Sequence, residues 1–348
     1  MFLKKFNFGK RKIYFDTRVF IIAEIGVNHE GNFNNCKKMI LQASKSGADA
    51  VKLQTLDPDE NYKNDTEYYK IFKKSFFNKN QIIELFKFSK KVGIEFFSTI
   101  GDFKTFQWFK KLNPPGYKIS SGLLSHYPLI EKISNEKKPI LLSTGLETLN
   151  EVDKVYNLLK LNKTKKISFL HCCSLYPSPD SVVNLSTIKL FKERYSIPIG
   201  YSDHSTNNHN IIYSVAAGAT IVEKHFTLDK KRKNFDHKIS CDSKELTEIV
   251  KKIRNLEIIL GKFGKILSIK EKNKSKTMRR FIVAKKDLNP KTILSIDDLA
   301  FKRIKNTKSA LEAKFTNKIL GKKIQKKIFK NEIIIQKVNE YMKKWRLK

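Results

Sequence analysis

The sequence predicts a (β/α)8 barrel, the TIM-barrel fold, followed by a small domain that is mostly β. Up to about residue 262 the chain repeats one unit eight times: a short apolar run, a polar turn and an amphipathic stretch of helix length. Eight such units indicate parallel strands and favour a closed barrel over an open doubly wound sheet. From Phe281 onward, short apolar runs alternate with turn residues and show little helical period. We therefore predict a barrel over residues 1–265, a charged linker over 266–280 and a small β domain over 281–348.

Eight apolar runs are the predicted strands, and polar residues follow each of them. Their length and their content of branched and aromatic residues are typical of buried strands. In chain order they are VFIIAEIG (19–26), AVKLQT (50–55), EFFSTI (95–100), GYKISS (116–121), PILLST (139–144), ISFLHCC (167–173), IPIGYSD (197–203) and TIVEKHFT (220–227).

Segments of helix length separate the strands. Apolar residues at i, i+3 and i+4 spacing predict helices in CKKMILQASKSG, QIIELFKFSKKVG, DFKTFQWFKKL, EVDKVYNLLKLN and NIIYSVAAG, and the series closes with SKELTEIVKKIRNLEIILG. Four of these segments end in a glycine, as helix C-caps often do: Gly47, Gly93, Gly218 and Gly261.

The composition is strongly basic, with 70 Lys and Arg against 34 Asp and Glu and a formal net charge of +36. Such a charge by itself suggests a polyanionic partner. Lysines are scattered through nearly every segment and arginine is scarce, so we interpret the charge as compositional bias and expect no nucleic-acid partner. No apolar run of about 18 residues occurs, which predicts a cytoplasmic protein without a membrane partner. The four cysteines lack zinc-site spacing and are typical of reduced thiols.

Polar residues cluster at the ends of the predicted strands, where barrels of this kind carry their chemistry. The run Ser202, Asp203, His204 contains the residue types of a hydrolytic triad. Successive side chains of a strand point to opposite faces, so Asp203 is separated from its two neighbours and cannot relay a proton between them. Hydroxyls at other strand ends, such as Ser143 and Thr144, have the simpler alternative of capping the helices that follow.

Two lysines, Lys52 and Lys118, lie inside apolar strands, where a solvated side chain is not expected. A buried lysine needs a partner or an anion, so two of them converging with hydroxyls would form a pocket for a phosphate or carboxylate. Internal salt bridges to Glu24 or Glu223 are one alternative. A Schiff-base lysine is the other.

Two histidines, His204 and His225, end the seventh and eighth strands, which are neighbours in a closed barrel. Two imidazoles at adjacent strand ends can share one divalent cation, and Glu24 of the first strand lies on the far side. This arrangement predicts a metal site at the mouth of the barrel.

Seven motifs occur in one order along the chain: IAEIGVNHEG, DAVKLQT, YKISSG, PILLSTG, HCCSLYPSP, GYSDHS and VEKHFTLD followed by DHKIS. Together they resemble the sialic acid synthase family, which includes N-acetylneuraminate, legionaminate and pseudaminate synthases. The form AEIGVNHEG is closer to the neuraminate and legionaminate branches. The tail from MRRFIVAKKDL to FKRI resembles the antifreeze-like (SAF) domain of that family.

The resemblance implies an enzyme that condenses phosphoenolpyruvate with an N-acetylated amino-hexose, either N-acetylmannosamine or a 2,4-diacetamido-2,4,6-trideoxyhexose. The products would be a nine-carbon 2-keto acid and phosphate. It implies a Mn²⁺ or Mg²⁺ ion held by His204 and His225, with Glu24 as the acid/base. The residues implied to bind phosphoenolpyruvate are Lys52, Thr99, Lys118, Ser121, Ser174 and Ser202.

The sugar would contact Gln54, Tyr176, Asp236 and Arg303 by the same resemblance. Arg303 matches an arginine that the small domain delivers into the site of the partner subunit, which implies a domain-swapped homodimer. Leu123 stands where the family usually carries an acidic sugar contact, and Ser174 stands where many members have asparagine. The acceptor sugar is therefore left open.

Two rival functions remain open at this point. One is a Schiff-base pyruvate aldolase on the same barrel, using Lys118 or Lys52. The other is a basic polyanion-binding paralogue with no catalytic activity, for which the exchange at Leu123 is the available hint.

Overall fold

The structure, a computed structural model, describes residues 1–14, 18–262, 264–305 and 310–334. The chain divides into two compact units, Met1–Phe263 and Gly264–Lys348. Residues 335–348 of the predicted small domain lie outside the described residues.

The first unit contains a closed barrel of eight parallel strands, which confirms the predicted fold class. The strands pair in chain order, and the last pairs with the first. Two short strands precede the barrel, β1 (Phe6–Phe8) and β2 (Arg11–Ile13). The barrel strands are β3 (Phe20–Gly26), β4 (Ala50–Thr55), β5 (Glu95–Ile100), β6 (Tyr117–Ile119), β7 (Ile140–Ser143), β8 (Ile167–His171), β9 (Ile199–Asp203) and β10 (Ile221–His225).

Ten α-helices connect and follow these strands within the described part of the first unit. Among all described residues, no helix combines the length and the apolar content needed to cross a membrane. The helices are α1 (Phe33–Lys45), α2 (Pro58–Asn61), α3 (Glu67–Ser75), α4 (Lys79–Val92), α5 (Phe103–Phe109), α6 (Tyr127–Ser134), α7 (Leu149–Leu161), α8 (Ser186–Tyr195), α9 (His209–Ala216) and α10 (Ser243–Leu260).

Most helices of the first unit, though not α8 and α9, begin at a residue whose side chain caps the first turn. Asn78 and Gln81 form a reciprocal capping box at the start of α4, and Asp242 and Glu245 form another at α10. Gly93, at the end of α4, has a φ of 80°, a left-handed conformation that glycine adopts without strain. These local signals fix the helix ends and hence the loops that carry the site.

The alternating side chains of the barrel strands contribute to two different layers. Outward residues such as Ile21, Val51 and Phe96 pack against the helices in the main apolar core. Apolar residues on the opposite face of the strands form a separate cluster that includes Phe20, Ile22, Ala50, Phe97, Leu141, Leu170 and Ile221. Most of these residues lie in the first half of their strands, so the second cluster fills the amino-terminal half of the lumen.

The hairpin of β1 and β2, which was not among the predicted elements, completes this second cluster. Phe8 is fully buried, and its ring centroid lies 4.9 Å from that of Phe97 and 5.3 Å from that of Phe20. At Gly116 a Cβ would lie 2.4 Å from the Phe8 ring, so only glycine fits there. The hairpin therefore closes the amino-terminal end of the barrel.

The second unit begins with a helix, α11 (Ile269–Met278), which lies in the segment predicted as a linker. Two antiparallel strands follow, β11 (Phe281–Ala284) and β12 (Leu299–Lys302). A small apolar core formed by residues such as Ile282, Leu294 and Ile319 holds this unit together.

Candidate active site

The carboxyl-terminal half of the barrel lumen is lined by charged and hydroxyl side chains. None of these residues exposes more than 4% of its surface, so they are fully withdrawn from solvent. They are Glu24 on β3, Lys52 on β4, Thr99 on β5, Lys118 on β6, Ser143 on β7, Ser202 on β9 and Glu223 on β10. The structure therefore brings the two predicted lysines to one place.

Lys52 lies between two carboxylates. Its Nζ atom is 2.8 Å from Oε2 of Glu24 and 3.5 Å from Oε1 of Glu223. It also donates a hydrogen bond of 3.2 Å to Oγ1 of Thr99. Gln54 donates to Oε1 of Glu24 at 3.3 Å and so contacts the same cluster from the outer end of β4.

Lys118 joins the cluster from the opposite wall. Its Nζ atom donates to Oγ of Ser143 at 2.6 Å and lies 3.8 Å from Oε1 of Glu223. Ser202 donates to the same Glu223 oxygen at 3.1 Å. The internal salt bridges considered from the sequence are therefore present, whereas anion binding by the two lysines stays a prediction.

The charges in this cluster shift one another's protonation equilibria. Burial raises the pKa of Glu24 to about 7, because Lys52 offsets the desolvation of the carboxylate only in part. Burial opposes the charge of Lys52 as well, but Glu223 and Glu24 outweigh it and raise the pKa of that ammonium. Burial lowers the pKa of Lys118, and the nearby Lys52 adds to this. Glu24 is thus suited to exchange a proton near neutral pH.

His204 is held at the mouth of the lumen by contacts on both ring nitrogens. Its Nδ1 atom donates to the carbonyl oxygen of Cys173 at 2.6 Å, which leaves Nε2 unprotonated in the neutral ring. The hydroxyl of Tyr176 donates to that Nε2 at 3.1 Å, and the two rings stack with centroids 4.2 Å apart. Burial lowers the pKa of His204, so the ring stays neutral with a lone pair on Nε2.

His225 lies beside it, with the two imidazole centroids 5.5 Å apart. Burial lowers the pKa of His225 well below its usual value, and His204 adds to this effect. The nearest acidic atom to Nδ1 of His225 is Oδ2 of Asp236 at 3.5 Å. Burial raises the pKa of Asp236 to about 6.

Two buried polar atoms at this end of the lumen make no hydrogen bond to any described residue: Oε2 of Glu223 and Nδ1 of His225. Unpaired buried polar atoms are uncommon in folded proteins, and these two are available to another group. Neutral imidazoles beside carboxylate oxygens are ligands that a divalent cation accepts. The residues therefore fit the metal predicted from the sequence.

The two histidines do not by themselves complete the coordination of a metal ion. Within the described ranges, no group of three or more His, Cys, Asp or Glu side chains is placed to hold a metal ion. The chain would supply the two imidazoles, and water or substrate oxygens would supply the other ligands.

Four further residues that the sequence analysis named lie outside this buried cluster: Ser121, Ser174, Leu123 and Arg303. Ser121 accepts a hydrogen bond from the backbone N–H of Gly145 at 3.0 Å. At Gly145 a Cβ would lie 2.4 Å from Oγ of Ser174, so both serines border the same backbone turn. Leu123 is half-buried and packs against the apolar core. Arg303 is exposed in the second unit, directly after β12.

Two central residues were not among the predicted site residues. Glu223 contacts both lysines, and Ser143 accepts a hydrogen bond from Lys118. The alternation in VEKHFT was the available signal for Glu223, because it places this residue on the same face as His225. Asp203 lies on the opposite face, as predicted, and its partner there is Lys224 at 2.6 Å.

The fold and the lumen define a TIM-barrel enzyme with a charged, water-shielded site at the carboxyl ends of its strands. The NeuB family matches residues 39–265, and the SAF domain matches residues 279–336. The chain belongs to the NeuB family of phosphoenolpyruvate-dependent nonulosonic acid synthases, with a carboxyl-terminal SAF domain, as its sequence motifs predicted.

Individual relatives agree with this assignment. The chain is 38% identical to an uncharacterized protein of Methanocaldococcus jannaschii over 95% of this chain and 98% of that protein. It is 34% identical to the N,N'-diacetyllegionaminic acid synthase of Campylobacter jejuni over 91% of this chain and 99% of the synthase. Among solved structures, the N-acetylneuraminic acid synthetase of Leptospira borgpetersenii is 32% identical with a TM-score of 0.75, covering 78% of this chain and 94% of that one.

Proposed function

We propose that this protein condenses phosphoenolpyruvate with an N-acetylated amino-hexose, giving a nine-carbon 2-keto acid and inorganic phosphate. The observation that carries this proposal is the position of Lys52 and Lys118. Both are buried in one lumen within 4 Å of Glu223, next to two neutral histidines.

The two lysines and the surrounding hydroxyls form the binding site for phosphoenolpyruvate. Ammonium groups withdrawn from water bind phosphate and carboxylate oxygens more strongly than exposed ones do. The same site includes Thr99, Ser121, Ser174 and Ser202. An arriving anion would share Lys52 and Lys118 with Glu223, whose Oε1 lies 3.5 Å and 3.8 Å from the two ammonium nitrogens.

His204 and His225 would hold Mn²⁺ or Mg²⁺ at the mouth of the lumen. When bound, the ion supplies Lewis-acid polarisation of the aldehyde oxygen of the sugar. The chain itself orients the imidazoles: the Cys173 carbonyl fixes the tautomer of His204, and Tyr176 stacks on its ring.

Glu24 would act on the water that completes the reaction. Carbon C3 of phosphoenolpyruvate bonds to the aldehyde carbon, and C2 is left electron-poor. Glu24 takes a proton from water as its oxygen bonds to C2, and the C2–O bond to phosphate then breaks. The former aldehyde oxygen becomes a hydroxyl by gaining one of the two water protons as its C=O π bond breaks, the other proton leaves with the phosphate, and the water oxygen becomes the keto oxygen at C2. A carboxyl group with a pKa of about 7 suits this transfer.

The sugar would lie over the outer rim, against Gln54, Tyr176 and Asp236. Relatives of similar identity are named for different sugar acids, so the choice between N-acetylmannosamine and a diacetamido-trideoxyhexose is part of the proposal. Arg303 would complete the site from the partner subunit of a domain-swapped homodimer, as the resemblance implies.

One experiment tests the reaction. Phosphate release from phosphoenolpyruvate is measured with a panel of acetamido-hexoses and Mn²⁺, and each product is identified by mass. The expected result is sugar-dependent phosphate release with a nine-carbon keto acid as the product. No release with any member of the panel, with or without metal, would refute the proposed function.

A pyruvate aldolase remains the second candidate, because burial lowers the pKa of Lys118 and a Schiff-base lysine must be unprotonated to react. Borohydride reduction in the presence of pyruvate would trap such a lysine irreversibly. A metal-dependent synthase would instead lose activity with EDTA, regain it with Mn²⁺ and show no trapped adduct.

A further inference from the structure

A buried amide in the loop after β3 holds the loop that follows β10. Asn28 lies in the first of these loops and is 2% exposed. Its Nδ2 atom donates hydrogen bonds to the carbonyl oxygen of Phe226 at 3.0 Å and to Oγ of Ser240 at 2.9 Å. Its Oδ1 atom accepts a hydrogen bond from the backbone N–H of Asp236 at 3.0 Å. One side chain therefore fixes three points of the second loop.

The contacts of Asn28 converge on the surroundings of His225. Phe226 directly follows this histidine, and Oδ2 of Asp236 lies 3.5 Å from its Nδ1 atom. Ser240 extends the network, because its hydroxyl donates to the carbonyl oxygen of Asp236 at 2.6 Å. Both backbone polar groups of Asp236 are thus bonded, the N–H to Asn28 and the carbonyl to Ser240.

The turn that these bonds hold has an unfavourable backbone conformation. Asn234 and Phe235, the two residues before Asp236, have φ values of 71° and 47°. Residues other than glycine seldom adopt such left-handed values, and a bulky aromatic residue does so least readily. A conformation of this kind persists only where the surrounding contacts enforce it. The position of Asp236 therefore depends on its hydrogen bonds to Asn28 and Ser240.

A second set of contacts connects the same two loops. One ring nitrogen of His237 lies 2.9 Å from Oε1 of Glu30, and the other lies 2.8 Å from Oγ1 of Thr227. Arg232 pairs with the same Glu30 oxygen at 2.7 Å. Because these contacts do not involve the Asn28 side chain, its removal should shift the turn at Asp236 without releasing the whole loop.

We propose that Asn28 is a positioning residue for the reaction, and that its side chain holds the turn so that the Asp236 carboxyl group lies beside His225. This inference rests on the proposed function, in which Asp236 contacts the sugar and His225 would hold the metal ion. The 3.5 Å between Asp236 and His225 is longer than a good hydrogen bond, so even a small displacement of the turn changes their interaction. Holding both groups in place before the sugar arrives favours the reactive geometry.

The test is a double-mutant cycle between Asn28 and Asp236, measured as kcat/KM for the best acceptor among a panel of acetamido-hexoses. Asn28→Ala should lower kcat/KM about tenfold, mainly through KM of the sugar, and should leave KM of phosphoenolpyruvate within about twofold. If Asn28 acts through Asp236, adding Asn28→Ala to Asp236→Ala should cost less than about twofold more. Asn162→Ala is the control, because this half-buried asparagine between α7 and β8 donates to Oγ of Ser134 at 3.3 Å, and its loss should leave kcat/KM unchanged.

A second measurement does not depend on turnover. The NMR resonances of the His225 imidazole nitrogens, assigned with His225→Ala, report the position of Asp236. Asn28→Ala should shift them in the same direction as Asp236→Ala does, whereas Asn162→Ala should leave them in place. If Asn28→Ala does not fold, Ser240→Ala replaces it in both measurements, since it removes the bond to the Asp236 carbonyl and keeps the Asn28 amide.

Three outcomes would overturn the inference: a kcat/KM of Asn28→Ala within about twofold of wild type, independent effects of the two substitutions in the cycle, or His225 resonances that do not move when Asn28 is replaced. If no acceptor releases phosphate, the proposed function fails, and the His225 resonances alone decide the role of Asn28. A shift that matches Asp236→Ala would support that role, and unmoved resonances would refute it.

Discussion

Asp203 and Lys224 form a buried ion pair on the outer face of the two strands that carry the histidines. Their charged atoms are 2.6 Å apart, and the side chains expose 0% and 1% of their surface. Asp203 also accepts hydrogen bonds from Tyr201 and Ser205, so its carboxylate is well satisfied. The pair joins β9 to β10 one residue before His204 and His225, and it thereby helps to set the spacing of the two imidazoles.

Replacing one member of this pair should destabilise the barrel. Lys224→Met leaves the Asp203 carboxylate buried without its countercharge, which typically costs about 3–5 kcal/mol. Urea denaturation measures the change in the free energy of unfolding. Lys189→Met removes an exposed partner of Glu193, with side chains 77% and 67% exposed, and should cost less than about 1 kcal/mol. Similar losses in the two variants would contradict a structural role for the buried pair.

Removing either imidazole at the barrel mouth should abolish catalysis without unfolding the protein. His204→Ala and His225→Ala are expected to lose phosphate release and to lose the restoration of activity by Mn²⁺ after EDTA treatment. Circular dichroism checks that the barrel is intact. His209→Ala, at an exposed position in α9, is the control and should retain activity. Near-normal turnover in either site variant would eliminate the metal assignment.

The carboxyl group of Glu24 should govern the acidic side of the pH profile. Its pKa of about 7 predicts that kcat/KM rises as the pH increases through neutrality, because only the ionised form accepts a proton from water. Glu24→Gln should reduce kcat by about 10²- to 10⁴-fold and flatten this limb. Glu248→Gln, at an exposed glutamate of α10, should leave the profile unchanged. A limb that persists in Glu24→Gln would assign the titration to another group.

His29 should make the folded state sensitive to acid. It is 2% exposed and stacks on Phe77 with centroids 4.2 Å apart, and burial lowers its pKa from 6.5 to about 3. The unfolded chain therefore binds a proton that the folded chain does not, and stability falls as the pH drops below 6.5 toward 3. Between roughly pH 7.5 and 4.5 this histidine should cost about 3 kcal/mol.

The slope of the unfolding free energy against pH measures this effect. His29→Phe should reduce the slope, whatever its stability at neutral pH. Phe77→Leu removes the stacking ring but keeps the histidine, so it should lower stability and retain the slope. An unaltered slope in His29→Phe would show that other groups cause the acid sensitivity.

Arg303 tests the domain-swapped homodimer. Arg303→Ala should raise KM for the sugar, whereas Lys302→Ala, at the exposed neighbouring cation, should not. At a sugar concentration well below the raised KM, subunits of Arg303→Ala mixed with subunits of His225→Ala should show about a quarter of wild-type activity, because half of the dimers are mixed and each contains one intact site. The absence of any recovery after subunit exchange would place the arginine and the histidines of one site in the same subunit.

The barrel could be predicted because short segments of the sequence indicate each of its strands and helices. Eight apolar runs mark the strands, and glycine or capping residues mark the ends of helices such as α4 and α10. The hairpin of β1 and β2 could not be predicted in the same way. Its residues Phe8 and Ile13 are buried because they pack with Phe20 and Phe97. Those two residues face the lumen only once the barrel has closed, so the sequence near the hairpin does not indicate this contact.

In the candidate site, too, the features set by local sequence could be predicted, and those set by distant residues could not. Strand alternation was enough to group Lys52, His204 and His225, since each lies on an inward position. The links that set their chemistry join residues distant in sequence, such as the Cys173 carbonyl with His204 and the Asp236 carboxylate with His225. The conformations of the loops decide these contacts, and loops show no periodic residue pattern from which a conformation could be predicted.

Among the described residues, the hairpin of β1 and β2 covers the amino-terminal end of the lumen. Phe8 and Ile13 pack at the end opposite the histidines, so a molecule that enters from the carboxyl ends of the strands would pass His204 and His225 before it reaches Lys118. Under the proposed function, phosphoenolpyruvate would therefore bind at the lysines before the sugar, and the sugar at the histidines would keep it in the lumen until the reaction is complete.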